Sequence, residues 1–220
     1  MSDLLQFLAS GVTVGAVYAL VALGFTIIYN ASDVVNFAQG EFVMLGGMIS
    51  VAGVAAGLPL PLAALIAIAV TSAIGVALNT FAIEPARGAP VVSLIIITIG
   101  ASIFIRGVTQ IVLGKGTHRL PSFSGDEPLH VFGATVLPQS LWVTAGAVAI
   151  FVALWLFFTR TLTGRAVLAT SNNRLAAQLV GINTRFVMTL SFALSAAIGA
   201  LAGVLITPIL PTSFEVGISL

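Results

Sequence analysis

The most constraining feature of this 220-residue chain is a set of long apolar stretches without any charged side chain. One runs from Leu4 to Ser32 and another from Phe42 to Ile83. A helix needs about 20 mostly apolar residues to cross a bilayer, so the second stretch is long enough for two crossings. Hydrophobic residues make up 59% of the chain and charged residues only 7%, whereas soluble domains carry about 25% charged residues. The sequence therefore predicts a protein whose main solvent is lipid.

Prolines, glycines and short polar segments divide the apolar stretches into separate helices. The Gly-Leu-Pro-Leu-Pro sequence at 57–61 interrupts the longest stretch, because proline lacks an N–H and restricts the residue before it. We expect an all-α, polytopic transmembrane helix bundle with about six spans, at about 5–28, 34–56, 62–82, 91–113, 139–158 and 186–207. The first apolar run is too long for the core of a signal peptide and has no basic residue before it, so we expect it to be retained.

The distribution of basic residues predicts the orientation of these spans. Cytoplasmic loops of membrane proteins carry an excess of Lys and Arg. The segment 159–185 contains no acidic residue and four arginines, Arg160, Arg165, Arg174 and Arg185. We therefore expect it in the cytoplasm, together with the links 30–33 and 83–90, and we expect the 114–138 loop and the N-terminus outside. Arg106, near the far end of the fourth span, is expected to extend to the membrane interface.

A polar cluster lies at the predicted cytoplasmic start of the second span. It consists of Asn36, Gln39 and Glu41, with Asp33 in a position to cap the helix. We expect Glu41 to face the bundle interior, about two helical turns into the membrane. Polar groups at such depth are costly unless they are hydrogen-bonded or face water. Two interpretations stay open: a hydrogen-bonded helix start, or the lining of a gate or pathway.

Glycines are also spaced for close packing between helices. The pairs are Gly11 with Gly15, Gly46 with Gly47, and Gly199 with Gly203. Small residues at such spacings allow the backbones of neighbouring membrane helices to approach closely.

The cytoplasmic segment contains the pattern of a short amphipathic helix. Asn172 is a suitable N-cap and Gly181 a suitable C′ residue. Between them, helical spacing gathers an apolar face from Leu175, Ala176, Leu179 and Val180. Such a face needs a cover, which either the protein's own helix ends or a docked partner subunit would provide.

This segment resembles a known motif. Ala176-Ala177-x-x-x-Gly181 is similar to the E-A-A-x-x-x-G loop of ABC importer permeases, with Leu175 in place of the consensus acid. Further stretches resemble the branched-chain amino acid permeases of the LivH type, namely Gly164-Arg165-Ala166, Asn172-x-Arg174, Gly181-Ile182-Asn183, Y-A-L-x-A-L-G-F at 18–25, N-F-A-Q-G at 36–40, and the M-x-G at 44–46. The resemblance extends over nearly the whole chain.

The resemblance implies a function and partners. The chain would be a single transmembrane permease domain, 1–220, of an importer for branched-chain or other hydrophobic amino acids in the bacterial inner membrane. The implied partners are cytoplasmic ABC ATPases, a second homologous permease and a periplasmic substrate-binding protein. The implied coupling residues, which would dock on the ATPase, are Gly164, Arg165, Arg174, Ala176, Ala177, Gly181 and Ile182. Family members usually continue past the sixth helix, so we expect this chain to be C-terminally short.

Several functional classes are disfavoured by the sequence. There is no cysteine, both histidines (His118 and His130) fall in the long polar loop, and no basic stripe suggests nucleic acid. We therefore expect no metal and no cofactor. No G-x-x-x-x-G-K-[ST] motif is present, so ATP hydrolysis would reside in a partner and we expect no catalytic residue in this chain. The alternative is an ATPase-independent secondary transporter or channel, which predicts interrupted helices and intramembrane charges but gives the 159–185 segment no role. A purely structural membrane subunit is a third possibility.

Overall fold

A computed structural model describes residues 2–125, 127–131 and 134–219 of the chain. The helices are α1 Ser2–Ser32, α2 Gln39–Ala55, α3 Leu60–Leu78, α4 Val91–Leu113, α5 Pro138–Arg160, α6 Leu162–Asn172, α7 Arg174–Leu179, α8 Thr184–Ile206 and α9 Val216–Ser219. A π-helical turn, Asn79–Ile83, extends α3. Within the described ranges, the only strands are the antiparallel pair β1 Leu129–Val131 and β2 Ala134–Val136. The predicted all-α class is confirmed.

Five helices are long and apolar enough to cross a membrane, namely α1, α3 with its π-helical turn, α4, α5 and α8. The helix α2 is also apolar but has only 17 residues. The predicted number of about six apolar helices therefore holds, with one of them shorter than a full span. The segment 159–185, which was expected to be a polar loop around one short helix, contains two helices, α6 and α7.

The second span begins later than the sequence predicted, at Gln39 rather than near residue 34. Asp33 adopts a left-handed backbone conformation with φ of 59° and does not cap the helix. Instead, the side-chain oxygen of Asn36 accepts a hydrogen bond from the N–H of Ala38 at 3.1 Å. Asparagine favours such local turns because its side chain competes with helical hydrogen bonding. The segment 33–38 is therefore non-helical.

This non-helical segment lies beside the first half of α4. The N–H of Phe37 donates to Thr98 Oγ1 at 3.3 Å, and Glu41 in the first turn of α2 reaches Ser102. Ser102 is 11 residues after Val91, the first residue of α4 (102 − 91), which is about 17 Å along the helix axis. The helix α2 therefore begins near the middle of α4. Non-helical backbone at such depth is tolerated only where protein buries it or where it lines a cavity.

The centre of the bundle is the contact between α2 and α8. Phe42 of α2 and Phe192 of α8 are almost completely buried. Glycines bring the two backbones together: a Cβ atom on Gly46 would meet Ala200, and one on Gly203 would overlap the carbonyl oxygen of Val43. Close packing through these glycines is confirmed. Gly11 and Gly15 of α1, in contrast, have no atom within 4 Å of the position a Cβ would take.

The connections between helices sort onto two sides of the bundle, as predicted. Glu84, in the link after α3, forms ion pairs at 3.3 Å with Arg87 and with Arg185 at the start of α8. Ser32, at the end of α1, lines a cavity together with these two arginines. On the opposite side, the backbones of His118 and Thr212 pair in both directions, with N···O distances of 2.8 and 2.7 Å. The links 30–33, 83–90 and 159–185 therefore share one side.

A matched pair of glycine substitutions tests the packing of α2 against α8. We expect Gly203→Ala to lower the unfolding temperature in detergent, because overpacking a tight contact costs about 1–3 kcal/mol. Gly15→Ala is the control, since its methyl group meets no neighbouring atom and alanine favours the helix. Thermal unfolding followed by circular dichroism measures both. Equal unfolding temperatures for the two variants would contradict the close contact.

Candidate functional site

The three polar residues predicted to line a gate or pathway, Asn36, Gln39 and Glu41, are all buried at the start of α2. Their exposed fractions are 2%, 4% and 1%, respectively. Glu41 faces the bundle interior, as predicted. It lies in the first turn of α2 rather than two turns along it, because the helix begins only at Gln39. Its depth in the bundle comes from the non-helical segment that precedes the helix.

Glu41 forms a buried ion pair with α4. Arg106 Nη2 donates to Glu41 Oε1 at 2.8 Å, and Ser102 Oγ donates to the same oxygen at 2.8 Å. The prediction that Arg106 extends to the membrane interface is therefore wrong. A charged group inside a membrane protein usually pairs with another, and the carboxylate of Glu41 is within reach. The two residues are 65 positions apart, so only the tertiary fold reveals the pair.

The pair could have been suspected from one signal in the sequence. Glu41 is the only charged residue of α2, and Arg106 is the only charged residue of α4. One acidic and one basic side chain, each isolated in an apolar helix, are expected to find each other because an unpaired charge in lipid is costly.

Asn36 and Gln39 are each hydrogen-bonded through their side-chain oxygen alone. Asn36 Oδ1 accepts from Ala38 N at 3.1 Å, and Gln39 Oε1 accepts from Ser195 Oγ of α8 at 2.5 Å. The amide nitrogens of both side chains, Nδ2 and Nε2, are buried and have no hydrogen-bond partner. Buried polar groups are nearly always paired, so these two nitrogens are exceptions, as is Glu41 Oε2.

A cavity of about 480 Å³ opens beside this cluster, between α1, the 36–40 segment and α4. Its polar lining includes Asn36, Gln39, Ser102 and Arg106. Phe25 of α1 and two isoleucines of α4 are among its apolar lining residues. Small-molecule sites are typically cavities of about 300–1,000 Å³ with mostly apolar walls and a few polar groups. The cavity has the size and lining of such a site.

The short amphipathic helix of the 159–185 segment is α7, and Asn173 rather than Asn172 caps it. Asn173 Oδ1 accepts from the N–H of Ala176 at 3.0 Å. The predicted cap, Asn172, is the last residue of α6 and donates its side-chain amide to the Leu168 carbonyl at 3.0 Å. Because α6 continues to Asn172, the break between the helices falls one residue later than predicted.

The end of α7 confirms the predicted role of Gly181 as its C′ residue. Gly181 has φ of 88°, a conformation that glycine adopts without steric cost. Its N–H donates to the Gln178 carbonyl at 3.0 Å, and the N–H of Ile182 donates to the Ala177 carbonyl at 2.9 Å. These two hydrogen bonds form a Schellman motif, which fixes the direction in which the chain leaves α7.

The apolar face of α7 is uncovered. Leu175, Leu179 and Val180 are 74%, 89% and 77% exposed, and Ala176 is exposed as well. Ala177, on the other side of the helix, is 3% exposed. The sequence left two possible covers for this face, the protein's own helix ends or a partner subunit. Within the described ranges, the protein's own helix ends do not cover it. Clusters of exposed apolar side chains are typical of interaction sites.

Gly164 and Arg165, the remaining predicted coupling residues, lie in the first turns of α6. Gly164 is buried, and its N–H donates to Thr161 Oγ1 at 2.9 Å. A Cβ atom on Gly164 would meet the Phe157 carbonyl oxygen of α5, so glycine allows the tight corner between α5 and α6. Arg165 is exposed. Among the described residues, no hydrogen bond or ion pair joins it to the apolar face of α7.

A second cavity, of about 630 Å³, lies directly behind α7. Arg174, Gly181 and Ile182 line it together with Arg87 and Arg185. Burial lowers the pKa of the Arg87 guanidinium; Glu84 opposes the shift, and the positive charges of Arg174 and Arg185 add to it. Arg87 and Arg185 pair with Glu84, and Arg174 adds a third positive charge beside them, so arginines outnumber carboxylates around this cavity.

Comparison with known proteins identifies relatives of this chain. Residues 7–219 match the family described as "Branched-chain amino acid transport system / permease component". The chain is 33% identical over 215 residues to the high-affinity branched-chain amino acid transport system permease protein LivH of Escherichia coli, covering 92% of this chain and 70% of LivH. It is 30% identical over 217 residues to BraD of Pseudomonas aeruginosa, another such permease protein, with the same coverage.

More distant relatives belong to sugar transport. The chain is 26% identical over 199 residues to the ribose import permease protein RbsC of Haemophilus influenzae, covering 87% of this chain and 58% of RbsC. No solved structure matches the chain. The curated relatives are transport permeases and not enzymes, so the apolar helices belong to a multi-pass inner-membrane protein.

The match over residues 7–219 and the identity to LivH agree with the motifs in the first two helices and in α7. The chain is therefore a permease subunit, and it belongs to the family of branched-chain amino acid transport system permease components.

Proposed function

We propose that this chain, as one transmembrane permease domain over 1–220, imports branched-chain or other hydrophobic amino acids by ATP-driven alternating access. The observation that carries the proposal is the exposed apolar face of α7, which offers a docking surface on the side of the bundle that is rich in arginine. The names of the relatives LivH and BraD supply the substrate class. Transport of radiolabelled leucine by the reconstituted importer tests it directly.

The orientation follows from the same surface. The arginine-rich side, with α6, α7 and the link that carries Glu84, is the cytoplasmic side, in keeping with the excess of positive charge in cytoplasmic loops. The N-terminus of α1 and the loop that pairs with Thr212 are then on the periplasmic side. A cytoplasmic ABC ATPase docks on α7, and a periplasmic binding protein delivers the substrate to the opposite side.

The coupling residues divide into two roles in this proposal. Leu175, Leu179 and Val180, with Ala176, form the surface that enters the ATPase. Gly164, Gly181 and Ile182 fix the backbone corners that connect this surface to α5 and α8, and Ala177 packs inward. Arg174, at the first position of α7, places a positive charge between the docking surface and the cavity behind it. Movement of the ATPase is thereby transmitted to the helices.

The pathway in this proposal includes the start of α2. Asn36, Gln39 and Glu41 lie where the non-helical segment meets the middle of α4, and interrupted helices of this kind mark substrate sites in many transporters. Arg106 is 22% exposed at its side chain, and an arginine at this depth requires water or a protein partner. A second, homologous permease subunit provides the opposite wall.

An ATPase-independent transporter would also explain the non-helical segment before α2 and the intramembrane ion pair. Such a transporter would have no use for the uncovered face of α7. It also does not fit the family to which the chain belongs, whose members are permease components of transport systems. Co-purification with an ABC ATPase separates the two possibilities, because only the importer requires that complex.

Reversing the charge of Arg174 tests the coupling role of α7. We expect Arg174→Glu to abolish leucine uptake and its link to ATP hydrolysis in proteoliposomes, while the permease still inserts. The substitution places a carboxylate near Arg87 and Arg185, so the fold itself is not expected to suffer. Arg160→Glu, on the exposed end of α5, is the control and is expected to retain coupling. Normal coupling in Arg174→Glu would remove this residue from the coupling surface.

The conformation of Gly181 provides an independent test. Proline fixes φ near −65°, so Gly181→Pro cannot adopt the observed φ of 88° and loses the N–H that bonds to Gln178. We expect uptake to fall at least about tenfold with membrane insertion unchanged, since uncoupling changes the rate and not the fold. Gly114→Pro is the matched control, because Gly114 has the same φ but lies on the opposite side of the bundle. Equal uptake by the two variants would contradict the proposal.

A further inference from the structure

The cavity of about 630 Å³ behind α7, which we call the arginine cavity, has more positive than negative charge around it. Arg87, Arg174 and Arg185 line it, and none of the described residues that line it is acidic. Two carboxylates lie nearby: Glu84 pairs with Arg87 and Arg185, and Asp33 is exposed next to a lining residue. Even when both are counted, three guanidinium groups exceed them. The complementary ligand group is therefore an anion, and guanidinium groups bind phosphate oxygens particularly well.

Two of these arginines have polar groups that the protein leaves unused. Arg174 is partly exposed, and its side chain has no ion pair among the described residues. Arg185 contacts Glu84 through Nε at 3.3 Å, and its side chain is 77% exposed. The terminal nitrogens of Arg185 and the whole guanidinium group of Arg174 therefore remain available to a ligand.

The three positive charges are close enough to affect one another. Burial lowers the pKa of Arg87, and the charges of Arg174 and Arg185 add to that shift against the opposing effect of Glu84. Like charges at such distances repel. An anion held between them would reduce this repulsion.

The arginine cavity lies at the level of the ends of the membrane helices. Arg87 comes four residues (87 − 83) after Ile83, where the π-helical turn ends, and Arg185 is the second residue of α8. The polar headgroup region of a bilayer lies immediately outside its hydrocarbon core. Basic groups between the ends of membrane helices are therefore at the depth of the lipid phosphates.

An apolar groove of about 340 Å³ runs between α3 and α4. The described residues that line it are all apolar, and two of them, Phe81 and Phe104, are 80% and 70% exposed. On α4, Ile97, Ala101 and Ile105 follow at intervals of four residues and form one face, about 12 Å long by the helical rise. The groove therefore opens toward the lipid and can hold part of an acyl chain.

The arginine cavity and the groove adjoin each other along the same pair of helices. Leu94 lines the cavity, and Ile97, less than one turn later on α4, lines the groove. After α3, Ile83 lines the cavity, and the residue before it, Ala82, lines the groove. Charged groups at headgroup level thus stand at one end of an apolar groove. A molecule that is complementary to both has an anionic head and an apolar tail.

We propose that the arginine cavity and the groove together bind one anionic phospholipid. Its phosphate lies between Arg174 and Arg185, with Arg87 behind them, and one acyl chain lies in the groove between α3 and α4. A zwitterionic lipid fits less well, because its own positive charge would add to an existing excess of arginine. The ligand is a lipid and not the transported substrate, so the site does not depend on the proposed import of amino acids.

Quenching of tryptophan fluorescence by brominated lipids measures the occupancy of the groove. Trp142→Phe and Trp155→Phe remove the two native tryptophans, and Phe104→Trp places a single one at the groove. The full-length permease is reconstituted in phosphatidylcholine vesicles that contain phosphatidylglycerol or phosphatidylcholine with brominated acyl chains. We expect the anionic lipid to bind at position 104 at least about fivefold more tightly than the zwitterionic one, since each basic residue near the headgroups contributes about this factor.

A second tryptophan position provides the matched control. Ile111 is 85% exposed near the other end of α4 and lines neither the arginine cavity nor the groove. In the Ile111→Trp variant we expect the two brominated lipids to quench equally. Equal quenching at position 104 as well, or the same preference for the anionic lipid at both positions, would overturn the proposal.

Substitution of the arginines tests whether the headgroup is held in the cavity. Arg174 has no ion pair to lose, and an exposed pair such as that of Arg185 contributes little to stability, so Arg174→Gln with Arg185→Gln is expected to fold. We expect this double variant to reduce the preference at position 104 to less than about twofold. Monodisperse size-exclusion profiles verify the fold. An unchanged preference would overturn the proposal.

A matched double variant separates a specific site from general attraction to a basic surface. Arg160→Gln with Arg165→Gln also removes two positive charges from the same side of the bundle, but both residues are exposed and lie outside the cavity. We expect this variant to keep the preference for the anionic lipid. An equal loss in both double variants would show that only the overall surface charge matters, which would overturn the site.

Inorganic phosphate distinguishes a lipid site from a site for a soluble anion. The quenching at position 104 is measured in sodium phosphate and in sodium chloride of the same ionic strength. We expect the preference for the anionic lipid to be the same in both salts, because inorganic phosphate gains nothing from the apolar groove. Loss of the preference in phosphate alone would show that a soluble anion takes the cavity, and it would overturn the assignment to a phospholipid.

Discussion

The ion pair between Glu41 and Arg106 is the interaction on which the rest of the bundle depends. It fixes the first turn of α2 to the middle of α4, with both charges inside apolar helices. Removing one member of a buried ion pair typically costs about 3–5 kcal/mol, because the other charge is left without a partner. The pair therefore determines that the chain enters the bundle through the non-helical 33–38 segment, and it places Asn36 and Gln39 at mid-depth.

The same arrangement connects the start of α2 to the coupling surface. Gln39 is hydrogen-bonded to Ser195 of α8, and α8 contacts α2 through glycines that leave no free space. The Schellman motif at Gly181 joins α7 to the start of α8 through only a few residues. Since closely packed helices transmit displacement rather than absorb it, a movement of α7 reaches the start of α2 through α8. This rigid connection is what a permease driven from its cytoplasmic side requires.

Much of the fold was predictable from the sequence, and the failures have a common physical reason. The bounds of α4 were predicted correctly, because Pro90 and the left-handed Gly114 limit the helix locally. The start of α2 was not, since Val34 and Val35 look like helix interior while the turn at Asn36 and the contact of Phe37 with Thr98 end it. The partner of Arg106 was missed because it lies 65 residues away. Local signals located the six apolar helices, the bounds of α4 and, to within one residue, the N-cap of α7, whereas the side-chain pairs of the site depend on contacts between distant segments.

A double-mutant cycle on the ion pair tests the central claim most directly. Thermal unfolding in lipid is measured for Glu41→Gln, Arg106→Gln and the double variant. We predict a large loss of stability for each single variant and a loss for the double variant that is smaller than their sum, with a coupling of at least about 1 kcal/mol, as expected for residues in direct contact. Strictly additive losses would show that the two charges act independently, which would contradict the pairing that places the start of α2 at the middle of α4.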